Sequence, residues 1–159
     1  MKRFLLLLSI VLMNFLIYAQ TTSLVWEQPN TGASSTISVG DFSVWGMTDP
    51  TFNGGEMPTG ALIGVFYQLD GSFYCGGFST WTGDGMIAIS PQGDDSTTPD
   101  TDGFSEGETY NWFMNYNGVD YYASNALMVE PNGQLTGTVY SGNALSGLES
   151  ADFIEWTGE

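Results

Sequence analysis

Two dipeptides, Asp70-Gly71 and Asn117-Gly118, constrain this chain more than any other feature. Each stands between runs rich in aromatic and β-branched residues. Asn117-Gly118 separates its two runs by two residues. A connection that short is a type I′ turn, which needs positive φ at both central positions and so selects Asn or Asp followed by Gly. Both dipeptides therefore predict β-hairpins, and Asp84-Gly85 and Asn132-Gly133 predict two more turns. Between such breaks the strand pattern recurs at Leu24–Glu27, Ser34–Val39, Ala61–Tyr67, Phe73–Trp81, Met86–Ser90, Thr109–Tyr116, Val119–Ala123, Ala126–Glu130, Leu135–Tyr140 and Ala151–Trp156. Ala61–Tyr67 is almost wholly apolar, as a strand buried on both faces would be. In Thr109–Tyr116, residues Tyr110, Trp112, Met114 and Tyr116 share one face, and Thr109, Asn111, Phe113 and Asn115 the other. A short helix is expected only at Ala144–Ser150.

Short strands at this density predict an all-β fold of two antiparallel sheets packed face to face. The expectation is an antiparallel β-sandwich of immunoglobulin-like or jelly-roll type rather than a closed barrel. The chain has one cysteine, Cys75, so the immunoglobulin cysteine pair is absent and the sub-type stays open. Cys75 lies in Phe73-Tyr74-Cys75-Gly76-Gly77-Phe78 and reads as a small buried residue rather than half of an intermolecular bridge.

The N-terminus reads as a secretory signal peptide over residues 1–19, ahead of a single domain over 20–159. Lys2 and Arg3 form its positive region, Phe4 to Ile17 its apolar region, and Tyr18-Ala19-Gln20 a cleavage point. The apolar stretch is shorter than the roughly 20 residues a membrane span needs. A secreted protein, extracellular or periplasmic, is therefore expected, with no membrane attachment after cleavage.

Lys2 and Arg3 are the chain's only cations, and it has no His. Their removal shifts the formal charge from −16 to −18, with all 18 acidic residues retained. Such a domain repels phosphate backbones, which excludes nucleic acid as a partner. Anionic membranes are disfavoured likewise. Self-repulsion keeps it soluble at a cost in stability at low salt. The lack of His and Lys removes the Ser-His-Asp, Cys-His and Ser-Lys nucleophile systems, and zinc sites built on His. Carboxylate chemistry of the glycosidase kind is what remains. Glu27, beside Trp26, and Glu130, after Met128-Val129, are its weak candidates, and each also reads as a solvent-facing strand end. A non-enzyme is expected.

The densest constellation runs from Gly93 to Glu108 and holds Asp94, Asp95, Asp100, Asp102, Glu106 and Glu108. Clustered hard oxygen ligands without competing cations suit Ca²⁺. With Gly103 at the sixth position of an EF-hand loop, Asp100 and Asp102 fit but Thr98 and Thr109 fall where the end ligands belong, so an EF-hand is excluded. A looser calcium site of Asp94, Asp95, Asp100, Asp102 and Glu106 is one reading. A solvated loop whose Asp residues cap turns is the other. Trp26, Trp45, Trp81, Trp112, Trp156 and the eight Tyr could also supply a sugar-stacking platform, although core packing accounts for most of them.

Several motifs occur in order: Ile63-Gly64-Val65-Phe66-Tyr67, Cys75-Gly76-Gly77-Phe78, Trp81-Thr82-Gly83, Gly93-Asp94-Asp95, Thr98-Pro99, Asp102-Gly103-Phe104 and Gly107-Glu108. Asn30-Thr31-Gly32 precedes them and Leu145-Ser146-Gly147-Leu148 follows. Over residues 24 to 150 this resembles a repeat module of large secreted and surface proteins of the Bacteroidetes, which often carry a type IX sorting domain. Pro91-Gln92 stands where the family often has Trp or Phe before Gly-Asp-Asp, and a chain ending at Glu159 would have no room for a sorting domain, which would argue against type IX export. The resemblance implies a non-catalytic extracellular β-domain for adhesion or surface structure. It also implies a shared role for Asp94, Asp95 and Asp102, as a metal site or a loop clasp. A carbohydrate-binding module, calcium-dependent or not, is the alternative. Partners would be cell-surface or matrix polysaccharide or protein, and the oligomeric state is left open.

Overall fold

Positive φ occurs at Asp70 (51°) with Gly71 (80°) and at Asn117 (53°) with Gly118 (79°), the two expected hairpin turns. A third pair, Asn53 (50°) and Gly54 (71°), makes a hairpin of the same kind. These turns belong to a computed structural model that describes residues 24–158. The expected signal peptide lies outside the described residues.

The described residues contain twelve strands and no helix. They are β1 (Thr36–Val39), β2 (Thr51–Phe52), β3 (Gly55–Glu56), β4 (Leu62–Leu69), β5 (Ser72–Thr80), β6 (Ile87–Ile89), β7 (Asn111–Tyr116), β8 (Val119–Ala123), β9 (Leu127–Val129), β10 (Leu135–Thr136), β11 (Leu145–Ser150) and β12 (Asp152–Glu155). They form a five-stranded sheet, β10-β9-β11-β1-β6, packed against a seven-stranded sheet, β3-β2-β12-β8-β7-β4-β5. The fold is the expected all-β sandwich. Most pairings are antiparallel, while β1–β11 and β2–β12 run parallel, so both sheets are mixed.

Three local expectations need correction. Ala144–Ser150 is not helical: Leu145–Ser150 is a central strand. Leu145 and Leu148 have helical spacing, but Leu148 fills the core and Gly147 lies under Met47, where a Cβ would collide with the Met47 sulfur. Leu24–Glu27 joins no ladder. Of Leu135–Tyr140, only Leu135–Thr136 pairs as a strand, with an isolated bridge from Val139 to Thr109.

The core between the sheets holds Ile37, Val39, Ile63, Val65, Trp112, Met114, Leu148 and Phe153, among others. The seven-stranded sheet has a second apolar layer on its other face, built on Phe66, Cys75 and Phe113. Leu24, Trp26, Phe73, Phe78, Tyr122 and Trp156 pack around these three. The rings meet edge to face: Trp26–Phe66 at 5.0 Å, Phe66–Phe113 at 5.1 Å and Phe113–Trp156 at 5.3 Å between centroids. That geometry sets a positive ring edge on a negative ring face. β4 is thus buried on both faces, as its apolar run implies.

The N-terminal segment closes the outer layer like a strap, and Asp120 fastens it. Asp120 lies on β8 at 7% exposure. Its carboxylate accepts from the Leu24 amide (2.8 Å), the Trp26 indole Nε1 (3.0 Å) and Asn115 Nδ2 (2.6 Å). A carboxylate buried without a cation needs such donors to offset its lost hydration. No cation is present among the described residues to take their place.

Candidate functional site

Three of the ordered motifs, Gly93-Asp94-Asp95, Thr98-Pro99 and Asp102-Gly103-Phe104, meet at one place, while Trp81-Thr82-Gly83 lies elsewhere, against Gly40 and Thr59. Gly93 forms a parallel bridge with Phe104, and the Asp94 amide donates to the Phe104 carbonyl at 2.9 Å. Asp94 and Asp102 then clasp reciprocally across the loop. The Asp102 amide donates to Asp94 Oδ1 (3.0 Å), and the Asp95 amide to Asp102 Oδ1 (3.2 Å). Thr98 Oγ1 reaches Asp102 Oδ2 at 3.4 Å. Asp95 Oδ1 accepts from the Thr97 amide (2.8 Å), and Thr97's donors hold its carboxyl below the usual aspartate range. Glu106 Oε2 accepts from the Gly142 amide (3.0 Å). The Ser141 hydroxyl first, and this amide second, hold Glu106 below the usual glutamate range. Glu108 ties the Gln68 and Ser105 amides at 3.0 and 2.9 Å.

The clasp therefore gathers Asp94, Asp95 and Asp102. Asp100 lies at the exposed tip of the loop, and Glu106 bonds to a different segment. Among the described residues, no group of three or more His, Cys, Asp or Glu is arranged to hold a metal ion. The closed loop drives Phe104 into the inner core, stacked on Tyr140 at 5.5 Å and edge-on to Tyr110 at 5.0 Å. Gly76 lies directly under the Phe104 ring, where a Cβ would overlap it. That contact accounts for one glycine of the Cys75-Gly76-Gly77-Phe78 motif.

This loop sets one wall of a cleft through Thr101 and Asp102. The cleft, about 560 Å³, runs along the free edge of β5 and is lined by Glu27, Gln28, Tyr67, Tyr74 and Asp102, with Cys75 behind them. Tyr74 faces Tyr67 across the β4–β5 ladder, and their rings stack at 5.6 Å with 21° between planes. Tyr74 is 46% exposed. Burial, and next the negative charge of Asp102, push the Tyr67 hydroxyl's pKa up. Burial also pushes the Cys75 thiol up to about 12, so it stays protonated and unreactive at neutral pH. Among the described residues, Glu27 and Asp102 are the only charged ones lining the cleft. Gln28 donates its amide to the Ser90 carbonyl at 3.0 Å, which fixes its position.

Sequence reasoning singled out Glu27 and Asp102 separately, and the fold brings them to one cleft. Glu130, the other weak candidate, lies exposed in the β9–β10 turn far from that cleft's lining. Tyr67 and Tyr74 were hidden inside strand patterns. The one available signal was Phe73-Tyr74, whose neighbours must face opposite ways on a strand. No protein-family model, curated protein or solved structure matches the chain. The likeness to the Bacteroidetes module therefore rests on its ordered motifs alone.

Proposed function

We propose that this chain is a secreted, non-catalytic β-sandwich module that acts by binding, in adhesion or as a unit of cell-surface or matrix structure. The observation that supports this reading most is the β5-edge cleft. There a half-exposed ring, stacked on its neighbour, shares a cleft at a sheet edge with the carboxylates of Glu27 and Asp102. Most of the aromatic content is spent in the two cores, so an aromatic face left at a cleft marks a surface for contact. The motifs from Gly93 to Phe104 fit the same reading, because they build a loop clasp that plugs the core.

The test is retention of the labelled protein on intact cell surfaces and on insoluble matrix polymers, with Tyr74→Ala as the comparison. We expect retention that Tyr74→Ala loses. Absence of retention on every surface sinks the reading, and release of reducing sugar from any polymer overturns its non-catalytic part. A second reading, a carbohydrate-binding module, is favoured by the ring of Tyr74 beside Glu27 and Asp102.

A further inference from the structure

We propose that the β5-edge cleft takes a neutral polysaccharide, with one sugar ring lying on Tyr74 and its hydroxyls donating to Glu27 and Asp102. This rests on the binding reading above and adds the ligand's class, charge and seat. Three observations carry it. The Tyr74 ring stacks on Tyr67 and is 46% exposed at the cleft, which offers aromatic surface for a sugar ring to contact. Stacking on Tyr67 also holds that ring in place before ligand arrives, which lowers the entropy cost of binding.

The polar rim is one-sided. Glu27 and Asp102 are acceptors when ionised, so they suit a ligand that presents donors, as vicinal hydroxyls do. Tyr67 adds a hydroxyl near Asp102. The clasp fixes Asp102 through the Asp95 amide and Thr98, so the acceptor does not need to be ordered by the ligand.

Charge narrows the class further. No cation lies anywhere in the described residues, so a uronate or sulfate polymer would meet only repulsion. A cationic polymer would be attracted, by the ring face as well as the carboxylates, but through a field that salt screens. A neutral polymer held by stacking and hydrogen bonds is insensitive to salt.

The experiment is affinity electrophoresis of the protein in gels containing neutral β-glucan, mannan, xylan or galactan, anionic alginate, or cationic chitosan. At least one neutral polymer is expected to retard it, and alginate not. Tyr74→Ala should weaken that retardation at least tenfold, Tyr74→Phe should keep it, and Glu27→Gln should weaken it severalfold. Added 0.5 M NaCl in solution titrations should leave the affinity unchanged. Far-UV circular dichroism verifies that each variant is folded. Retardation by chitosan alone, abolished by salt, overturns the proposal in favour of a cationic ligand. Retardation by no neutral polymer, or undiminished retardation of Tyr74→Ala, also overturns it. Retention on cell surfaces that depends on Tyr74 without glycan binding would leave the broader binding function standing and remove this one.

Discussion

Trp112 and Phe113 are neighbours on β7, yet they bury into different layers. Trp112 points between the sheets, where two sheets supply its surroundings. Phe113 points to the outer face, where half-buried Phe73, Tyr122 and Trp156 and the cluster around Phe66 surround it. The inner core is closed by sheet packing. The outer layer is closed by an N-terminal strap that the Asp120 carboxylate holds through Leu24 and Trp26. The comparison teaches that one strand can serve two cores of unequal security. It also explains an aromatic-rich sequence with so few rings left exposed.

The largest expected effect breaks this comparison at adjacent positions. Truncating a buried aromatic costs about 3–5 kcal/mol. Trp112→Ala should fall at the upper end, because both sheets fix the space it leaves. Phe113→Ala should fall at the lower end, because its half-exposed neighbours can collapse inward. Urea unfolding of the two variants gives the ranking. Equal or reversed losses would show that the outer layer is as tightly closed as the inner one.

Asp120→Ala comes next. It leaves the Leu24 amide, the Trp26 indole and the Asn115 amide without their acceptor. Losing charge-assisted bonds of this kind costs about 2–3 kcal/mol. The loss should come with faster proteolysis in residues 24–29, while the sheets stay intact. Asp120→Asn, which keeps one carbonyl acceptor, should cost less.

Smaller effects should appear at the loop that plugs the inner core. Ser141 and Gly142 hold folded Glu106 below its ordinary value of 4.5, so the folded state takes up this proton less readily than the unfolded chain. Its contribution is complete above 4.5 and is lost as pH falls through the lower folded value. The deficit of Glu106→Gln at pH 7 should therefore shrink towards pH 3 in denaturant titrations. A deficit independent of pH contradicts this. Calcium should have the smallest effect, because amide donors already close the Asp94–Asp102 clasp. A site filled at a hundred times its Kd would add about 2.7 kcal/mol to stability. We expect no shift in the melting midpoint between calcium and chelator. A clear rise with calcium would favour the calcium reading of the acidic loop over a clasp closed by amides alone.

Much of the sheet architecture was legible because its signals are local. Asp70-Gly71, Asn117-Gly118 and strand Val119–Ala123 appear where the residue patterns place them. The two-sided burial of β4 was legible from its unbroken apolar run. The remainder depends on distant contacts. β2 and β3 are two residues each, too short for a period, although Asn53-Gly54 marks their turn. β11 pairs parallel with β1 across more than a hundred residues, and no local pattern encodes such a pairing. Asp120 is an acidic residue on an alternating strand, which reads as solvent-facing until the strap from Leu24 and Trp26 covers it. The acidic loop was found as a cluster, but its closure through backbone amides depends on chain geometry. Tyr74 reads as an ordinary strand residue, and its exposure depends on β5 being an edge.

The most direct test of the two-layer account is indole N–H exchange by NMR in the wild type and in Asp120→Ala. Trp26 Nε1 donates to Asp120, and Trp112 Nε1 lies buried in the inner core without a hydrogen-bond partner. The account predicts that Asp120→Ala makes the Trp26 indole proton exchange fast while the Trp112 proton stays slow. A Trp26 proton that remains protected, or protection lost at both indoles together, would contradict it.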